Sequence, residues 1–177
     1  MHIFLQGPKN IGKSTVISRV LEILTAEAPL KLGGFFTWNG GKSDPHVYIR
    51  PARSGSEGEI YRLASYDAEK GGLKSNVSAF EHDGVRILNE RAGVDLIIMD
   101  ELGYLESGAP VFRKTVLDTL TGGVPVLGVL RLGNVPWHEE IKRYPAVTIY
   151  NVDEKNRGDL PRELTDVLKR SLMNRKK

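Results

Sequence analysis

Short apolar runs alternate along this chain with longer stretches in which apolar residues recur every three or four positions. The runs predict strands at 2–5, 33–37, 94–100, 124–130 and 146–150. The stretches with helical spacing predict helices over 16–24, from about 75 to 92, and over 112–120, 137–143 and 160–173. Because strands alternate with helices, the pattern predicts an α/β sandwich with a mainly parallel sheet.

The segment 39–72 departs from this alternation. A glycine-rich turn at 39–42 is followed by strand-like runs at 47–50 and 60–64, which glycine, serine and proline separate. This spacing predicts a small antiparallel hairpin insertion. No internal repeat, low-complexity tract or linker interrupts the sequence. We therefore expect a single domain over 1–177, with the hairpin inserted at about 39–72.

The composition narrows the class of protein. The 177 residues suffice for one domain with a substantial core. The lack of cysteine excludes structural disulfides, cysteine–zinc sites and a thiol nucleophile. The N-terminus has no signal-peptide pattern, and no apolar run approaches the ~18 residues that cross a membrane. We therefore expect a cytoplasmic protein.

The chain is weakly basic, with a formal net charge of +3 and a pI of about 9.1. A small positive excess suits a protein that binds anionic nucleotides, and it leaves a nucleic-acid partner possible but not favoured. Tyr48 to Arg50 and Tyr61-Arg62 place aromatic residues beside basic ones. That arrangement is only a faint hint of base stacking.

A glycine-rich motif follows the first predicted strand and opens the first predicted helix. It matches G-x-x-x-x-G-K-[ST] and comprises Gly7, Pro8, Lys9, Asn10, Ile11, Gly12, Lys13, Ser14 and Thr15. The backbone N–H groups of such a loop point inward at phosphates, and the following helix adds the positive end of its dipole. The full spacing in this context predicts a phosphate-binding loop for a nucleoside triphosphate, with a plain glycine turn as the less favoured alternative.

Individual residues of the motif have separate tasks. Gly7 and Gly12 permit backbone conformations and a close approach that a Cβ would obstruct. Asn10 tolerates a left-handed conformation better than most residues. Lys13 is expected to reach the β- and γ-phosphates, and the Ser14 hydroxyl is expected to bind Mg²⁺, the predicted cofactor.

A second candidate site lies at the end of the strand 94–100. Asp100 is expected to hold the magnesium ion together with Ser14, and Glu101 to orient a water beside the γ-phosphate for in-line attack. A helix cap or a solvated turn is the alternative for this acidic pair. Asp100 to Gly103 also fits the D-x-x-G of regulatory GTPases, but the guanine-reading N/T-K-x-D is missing. This favours a hydrolase with its own glutamate.

Four segments together resemble the nucleoside-triphosphatase family first known from thermophiles, whose vertebrate member is the cancer-related nucleoside-triphosphatase. They are Gly7 to Thr15, G-F-F-T at 34–37, V-D-L-I-I-M-D-E-L-G-Y-L-E at 94–106, and Asn156-Arg157. The resemblance covers nearly the whole chain and implies a P-loop NTPase three-layer sandwich with a RecA-like sheet. It implies hydrolysis of ATP, GTP and other NTPs to NDP and phosphate with broad base selectivity. It also implies Lys13 and Ser14 at the phosphates and metal, and Glu101 as the water-activating base.

The resemblance bears on several further positions. Asn156 and Arg157 fall where the base is expected, and an arginine there could stack on any base because every base has a π-face. Glu106 matches a family acid, although a solvated or helix-start carboxylate fits the sequence equally well. Asn10 stands where the family usually has glycine, and Trp38 where it usually has an acidic residue.

No arginine is an obvious finger for the transition state. Arg131 ends a predicted strand on the ligand side and Arg113 follows the acidic pair. Either could stabilise transition-state charge, although each is more often a surface or ion-paired arginine. His46 and His138 lack metal-ligand spacing, and we expect both to be loop or surface residues.

Two other functions stay open. A nucleotide or small-molecule kinase would need an acceptor pocket, which the segment from Arg50 to Arg62 could supply. An NTP-gated nucleic-acid-binding protein would suit the basic pI. In all three cases we expect nucleoside triphosphates as ligands, no membrane partner and a monomer.

Overall fold

A computed structural model describes residues 1–175, in which eight strands form one mixed sheet with helices on both faces. The strands are β1 (His2–Gln6), β2 (Leu32–Asn39), β3 (Val47–Pro51), β4 (Tyr61–Asp67), β5 (Gly72–Ser75), β6 (Leu96–Leu102), β7 (Val126–Leu130) and β8 (Val147–Asn151). The helices are α1 (Lys13–Glu27), α2 (Val77–Ala79), α3 (Val85–Asn89), α4 (Pro110–Leu120), α5 (His138–Lys142) and α6 (Leu160–Arg175). A π-helical turn at Phe80–Gly84 and a 3₁₀ turn at Leu105–Gly108 complete the secondary structure of these residues.

The order of strands across the sheet is β5-β4-β3-β2-β6-β7-β1-β8. The five strands from β2 to β8 in this order run parallel, whereas β3, β4 and β5 add antiparallel to the free edge of β2. We call β3–β5 the antiparallel extension. The prediction of a mainly parallel sheet with a small antiparallel insertion is confirmed. Ligands of such sheets bind where the carboxyl ends of the parallel strands meet.

Side chains alternate between the two faces of the sheet and build two separate cores. Along β1, Ile3 and Leu5 pack with α1 and α6, whereas Phe4 packs with the helices of the other face. On that second face Phe112 lies 5.9 Å from Phe35 between ring centroids. Burying one such ring stabilises the fold by about 1.5–3 kcal/mol. The result is three layers, as predicted.

The segment around Ser75 differs from its prediction. We expected a helix to begin there, but Ser75 ends β5, and α2 begins only after Asn76, whose side-chain oxygen accepts a hydrogen bond from the N–H of Ala79 at 3.2 Å. β5 has a single apolar residue, Leu73, so no alternation marked it as a strand.

No helix of residues 1–175 has both the length and the apolar character that crossing a membrane requires.

Candidate functional site

The predicted phosphate-binding loop connects β1 to α1 at the carboxyl edge of the sheet, and its backbone explains its residues. A Cβ on Gly7 would lie 2.5 Å from the carbonyl oxygen of Val152, so only glycine fits. Gly12 has a φ of 106° and Asn10 a φ of 63°. Both values lie in the left-handed region that glycine, and to a lesser degree asparagine, tolerates. The expected conformation of Asn10 is therefore confirmed.

Lys13 turns its side chain back over this loop. The residue is 7% exposed, and its Nζ donates hydrogen bonds to the carbonyl oxygens of Gly7 at 3.0 Å and Pro8 at 2.9 Å. An ammonium group has three donors, so one remains for a further acceptor. The positive charge is thus held at the inner side of the loop.

The acidic pair reaches the loop from the other side of β7. β6 carries Asp100 and Glu101 near its carboxyl end, and the Oγ of Ser14 lies 3.3 Å from the Oδ1 of Asp100. Asp100 is 4% exposed, and this burial raises its pKa to about 6. The hydrogen bond from Ser14 and the charge of Lys13 oppose that shift, whereas the charge of Glu101 adds to it. Residues far apart in sequence therefore meet in one place.

Glu101 is fixed through its backbone and keeps its carboxylate partly open. Its N–H donates to the Oγ1 of Thr37 at 3.0 Å. Its Oε1 lies 3.8 Å from the Nη1 of Arg131, and about a third of its side chain is exposed. The carboxylate can therefore accept a hydrogen bond from a small ligand or a water.

A single cavity of about 610 Å³ joins these groups. One wall is the loop, with Lys9, Lys13 and Ser14, and the opposite wall is the acidic pair. Beyond Glu101 the cavity continues along the antiparallel extension, where its lining is largely apolar: Trp38, Val47, Leu63, Leu73 and Leu105. The cavity is thus polar at the loop and apolar at its far end.

Glu106 also lines this cavity, and of the alternatives for it a solvated carboxylate is wrong. The residue is 4% exposed, and its Oε2 accepts a hydrogen bond from the N–H of Gly103 at 2.8 Å. Burial raises its pKa to about 7, and the nearby charge of Glu101 acts in the same direction. Trp137 supports the same turn, because its Nε1 donates to the carbonyl oxygen of Gly103 at 2.9 Å. The sequence placed Trp137 only at the start of the predicted helix 137–143 and indicated no role for it in the site.

His138 corrects another expectation, because it is not a surface residue. It is 1% exposed in α5, beside Trp137. Burial lowers its pKa to about 4, so the ring is neutral near pH 7. His46, by contrast, lies in the loop before β3, as expected, and its Nδ1 accepts a hydrogen bond from the N–H of Tyr66 at 3.3 Å.

Asn156 and Arg157 lie in the loop after β8, on the side of the phosphate-binding loop away from the acidic pair. The amide of Asn156 organises this loop: its Oδ1 accepts from the N–H of Asp153 at 2.9 Å, and its Nδ2 donates to the carbonyl of Asn151 at 2.7 Å. The exposed Arg157 donates from Nη1 to the carbonyl oxygen of Ile11 at 3.4 Å. Both residues thus border the loop without lining the cavity.

The aromatic residues that hinted at nucleic-acid binding are engaged within the protein. The ring of Tyr48 stacks on Trp38 at 5.6 Å, and its hydroxyl donates to Asp44 at 2.8 Å. The hydroxyl of Tyr61 accepts a hydrogen bond from Arg86 at 2.8 Å. This does not favour the nucleic-acid hypothesis.

Known proteins resemble the chain over nearly its whole length. A family described as NTPase matches residues 2–165. Nucleoside-triphosphatase THEP1 of Thermotoga maritima is 31% identical over 180 residues, covering 96% of each chain. The human cancer-related nucleoside-triphosphatase is 26% identical over 177 residues, covering 90% of this chain and 92% of the human one.

Two solved structures share the fold. The crystal structure of THEP1 from Aquifex aeolicus matches with a TM-score of 0.75 and 24% identity, covering 95% of this chain and 99% of the other. The solution structure of the human cancer-related nucleoside triphosphatase matches with a TM-score of 0.76 and 22% identity, covering 94% and 96%. These matches confirm the predicted P-loop NTPase fold.

Proposed function

This chain belongs to the NTPase (nucleoside-triphosphatase) family, and from that membership we propose that it hydrolyses ATP, GTP and other NTPs to NDP and phosphate with Mg²⁺ and broad base selectivity. NTP hydrolysis is the activity that the names of its relatives carry. The observation that carries the proposal is the convergence of the phosphate-binding loop and the acidic pair on one cavity. A cytoplasmic location and a monomeric state remain predictions.

The loop from Gly7 to Thr15 is the proposed phosphate site. Its left-handed residues and the start of α1 direct backbone N–H groups toward one point, where phosphate oxygens accept them. Lys13 would exchange its bonds to the loop carbonyls for bonds to the β- and γ-phosphates. Lys9 is an exposed residue of the same wall and adds a second positive charge.

The proposed metal site consists of Ser14 and Asp100. A hydroxyl oxygen and a carboxylate oxygen 3.3 Å apart fit Mg²⁺, which prefers oxygen ligands and takes the rest of its shell from substrate phosphates and water. When bound, Mg²⁺ neutralises charge on the β- and γ-phosphates.

Glu101 is the proposed general base. Its carboxylate accepts a proton from a water while the water oxygen bonds to the γ-phosphorus and the bond to the β–γ bridging oxygen breaks, releasing NDP. The bond from its backbone to Thr37 holds the residue at the cavity wall. Asp100 lies deeper and beside Ser14, which separates the metal-binding carboxylate from the base.

The proposed base contact is Arg157. Its guanidinium is exposed beside the loop, where a planar cation can stack on a purine or a pyrimidine alike. Asn156 holds the loop that presents it. Contact through a ring face rather than a base edge is the physical reason to propose broad selectivity.

The test is to compare wild type with Glu101→Gln over a panel of NTPs and NDPs with Mg²⁺, resolving the products by chromatography. We expect the substitution to lower turnover by about 10²-fold or more, the scale of a lost general base, while nucleotide binding is kept. Glu163→Gln, an exposed change on α6, is the matched control. Equal turnover by wild type and Glu101→Gln would remove Glu101 from its role, and an inactive wild type would contradict the proposed function.

A small-molecule or nucleotide kinase is a second candidate, because the cavity extends past Glu101 into the apolar part of the antiparallel extension. An acceptor hydroxyl there would take the place of the attacking water. Phosphate release should then fall, and a phosphorylated product appear, when an acceptor is added. Release that no added nucleoside or NMP changes would argue for hydrolysis.

A further inference from the structure

We propose that Arg131 is a catalytic residue, an arginine that the chain supplies to its own active site to stabilise negative charge on the transferred phosphoryl group. The inference rests on the proposed function, because it requires phosphoryl transfer in the cavity. The arginine then comes from the same chain as the rest of the active site, and no arginine from a partner protein is required.

The strand order places Arg131 between the two halves of the site. β7 lies between β6, which carries the acidic pair, and β1, which leads into the phosphate-binding loop. Arg131 is the first residue after β7, at the carboxyl edge. Its side chain therefore lines the cavity where the γ-phosphate of a nucleotide on the loop would face Glu101.

Besides Glu101, one backbone contact and two side-chain contacts hold Arg131 in this position. Its backbone N–H donates to the carbonyl oxygen of Leu102 at 2.8 Å. Its aliphatic stem packs on Gly103, where a Cβ would come within 3.2 Å of the Arg131 Cδ. Its guanidinium lies over the ring of Tyr104, 4.9 Å from the centroid. An arginine held in this way loses little conformational freedom when it contacts a ligand.

The ion pair between Arg131 and Glu101 stabilises the fold too little to explain why Arg131 is held there. The two side chains are 40% and 34% exposed and approach only to 3.8 Å. Pairs of this kind contribute about 0–1 kcal/mol. Within the part of the chain that the structure describes, no guanidinium nitrogen of Arg131 makes a side-chain hydrogen bond. Its five N–H donors are thus available for phosphate oxygens.

Other cations are less well placed. Lys9 and Lys13 also line the cavity, but both belong to the loop and approach the phosphates from one side. Arg131 is the other lysine or arginine that lines the cavity in residues 1–175, and it follows the strand between the loop and the acidic pair. Arg113 lies on α4 away from the cavity lining, and Arg157 contacts the loop from the β8 side.

The chemistry follows from the direction of charge movement. As the bond to the bridging oxygen breaks, negative charge is shared among the γ-phosphoryl oxygens and the leaving oxygen. A planar guanidinium can bind two of these oxygens at once. Because Glu101 takes up a proton in the same step, the attraction of Arg131 to that carboxylate falls as its attraction to the phosphoryl group rises.

The test compares wild type, Arg131→Ala, Arg131→Lys and the control Arg19→Ala, an exposed change on α1. Turnover of ATP is measured, together with the affinities for ADP and for ADP with aluminium fluoride, which mimics the transferred phosphoryl group. We expect Arg131→Ala to lower kcat by about 10²-fold, as for loss of one preorganised donor. The affinity for ADP alone should stay within about twofold of wild type, but aluminium fluoride should no longer increase it. Arg131→Lys should recover only part of kcat and of the increase in affinity, because an ammonium group cannot bind two phosphoryl oxygens in the bidentate way of a guanidinium.

Two results would overturn the proposal. One is turnover of Arg131→Ala within about threefold of wild type while Glu101→Gln is inactive, since the hydrolase would then stand without the arginine. The other is an equal loss of ADP affinity and of melting temperature in both Arg131 variants, which would mark a structural role. An inactive wild type that binds ADP would instead reject the proposed function itself, and with it a catalytic Arg131.

Discussion

Acid should destabilise this protein partly through His138, and the substitution His138→Leu isolates that effect. The imidazole is 1% exposed in α5 and packs against the indole of Trp137. Burial is the largest cause of its lowered pKa, and the charge of Lys142 acts in the same direction. Glu139 and the backbone carbonyl of Leu102 oppose the shift.

The sign and size of the effect follow from the two pKa values of His138. The unfolded ring has a pKa of 6.5 and the folded one a pKa of about 4, so the unfolded state binds more protons between these values. Protonation of His138 therefore has almost no effect on the unfolding free energy above about pH 7.5, and stability falls as the pH drops toward 4. At pH 5 the difference in proton binding amounts to about 2 kcal/mol of unfolding free energy.

Urea unfolding of wild type and His138→Leu at pH 7.5 and pH 5 measures this quantity. Both proteins share every other titrating group, so those contributions cancel in the difference between them. We expect the unfolding free energy of wild type to fall by about 2 kcal/mol more than that of the variant. A parallel decline in the two proteins would show that the folded state accommodates a protonated His138, and the reasoning from burial would be refuted.

Three further substitutions test the site and the core. Trp137→Phe leaves the buried carbonyl of Gly103 without its donor and should cost about 1–3 kcal/mol in urea unfolding; a cost below about 0.5 kcal/mol would contradict the importance of that bond. Gly128→Ala brings a Cβ to 2.6 Å from the Phe4 ring and should destabilise by about 1–3 kcal/mol; an unchanged melting temperature would count against the close packing of β1 and β7. Lys13→Ala should weaken NTP binding by about 10–100-fold, the value of a charge-assisted hydrogen bond, and should lower turnover too. A fluorescent NTP analogue that binds the variant normally would argue against Lys13 as a phosphate ligand.

Local chemistry explains what could be predicted from the sequence. The strands at 2–5, 94–100 and 124–130 are apolar because both faces of a central parallel strand are covered, so a continuous run marks them. The phosphate-binding loop is equally local, since the spacing of its residues marks it in the sequence and Gly12 takes its left-handed φ of 106° within the loop itself. Such features need no knowledge of the tertiary structure.

Features that depend on distant packing could not be predicted in this way. Glu106 is polar in sequence, yet it is buried against the turn at Gly103, which the indole of Trp137 holds by a hydrogen bond to the Gly103 carbonyl. His138 is next to charged residues along α5 and is buried only because the helix packs its first turn against the core. β5 is defined by its pairing with β4 rather than by its own composition. In each case the deciding neighbour comes from another element.

The order of the strands is the most consequential information that the sequence lacks. Asp100 and Glu101 could be assigned to the ligand edge because each parallel strand ends there, whatever its place in the sheet. Arg131 also follows a strand at the ligand edge, but it would lie far from the phosphates if that strand were the outermost one of the sheet. β7 instead lies between β6 and β1, so the guanidinium stands between the acidic pair and the loop. Arg131 and Arg113 were equal candidates in sequence, and the pairing of β7 with both neighbours makes one of them a candidate for catalysis.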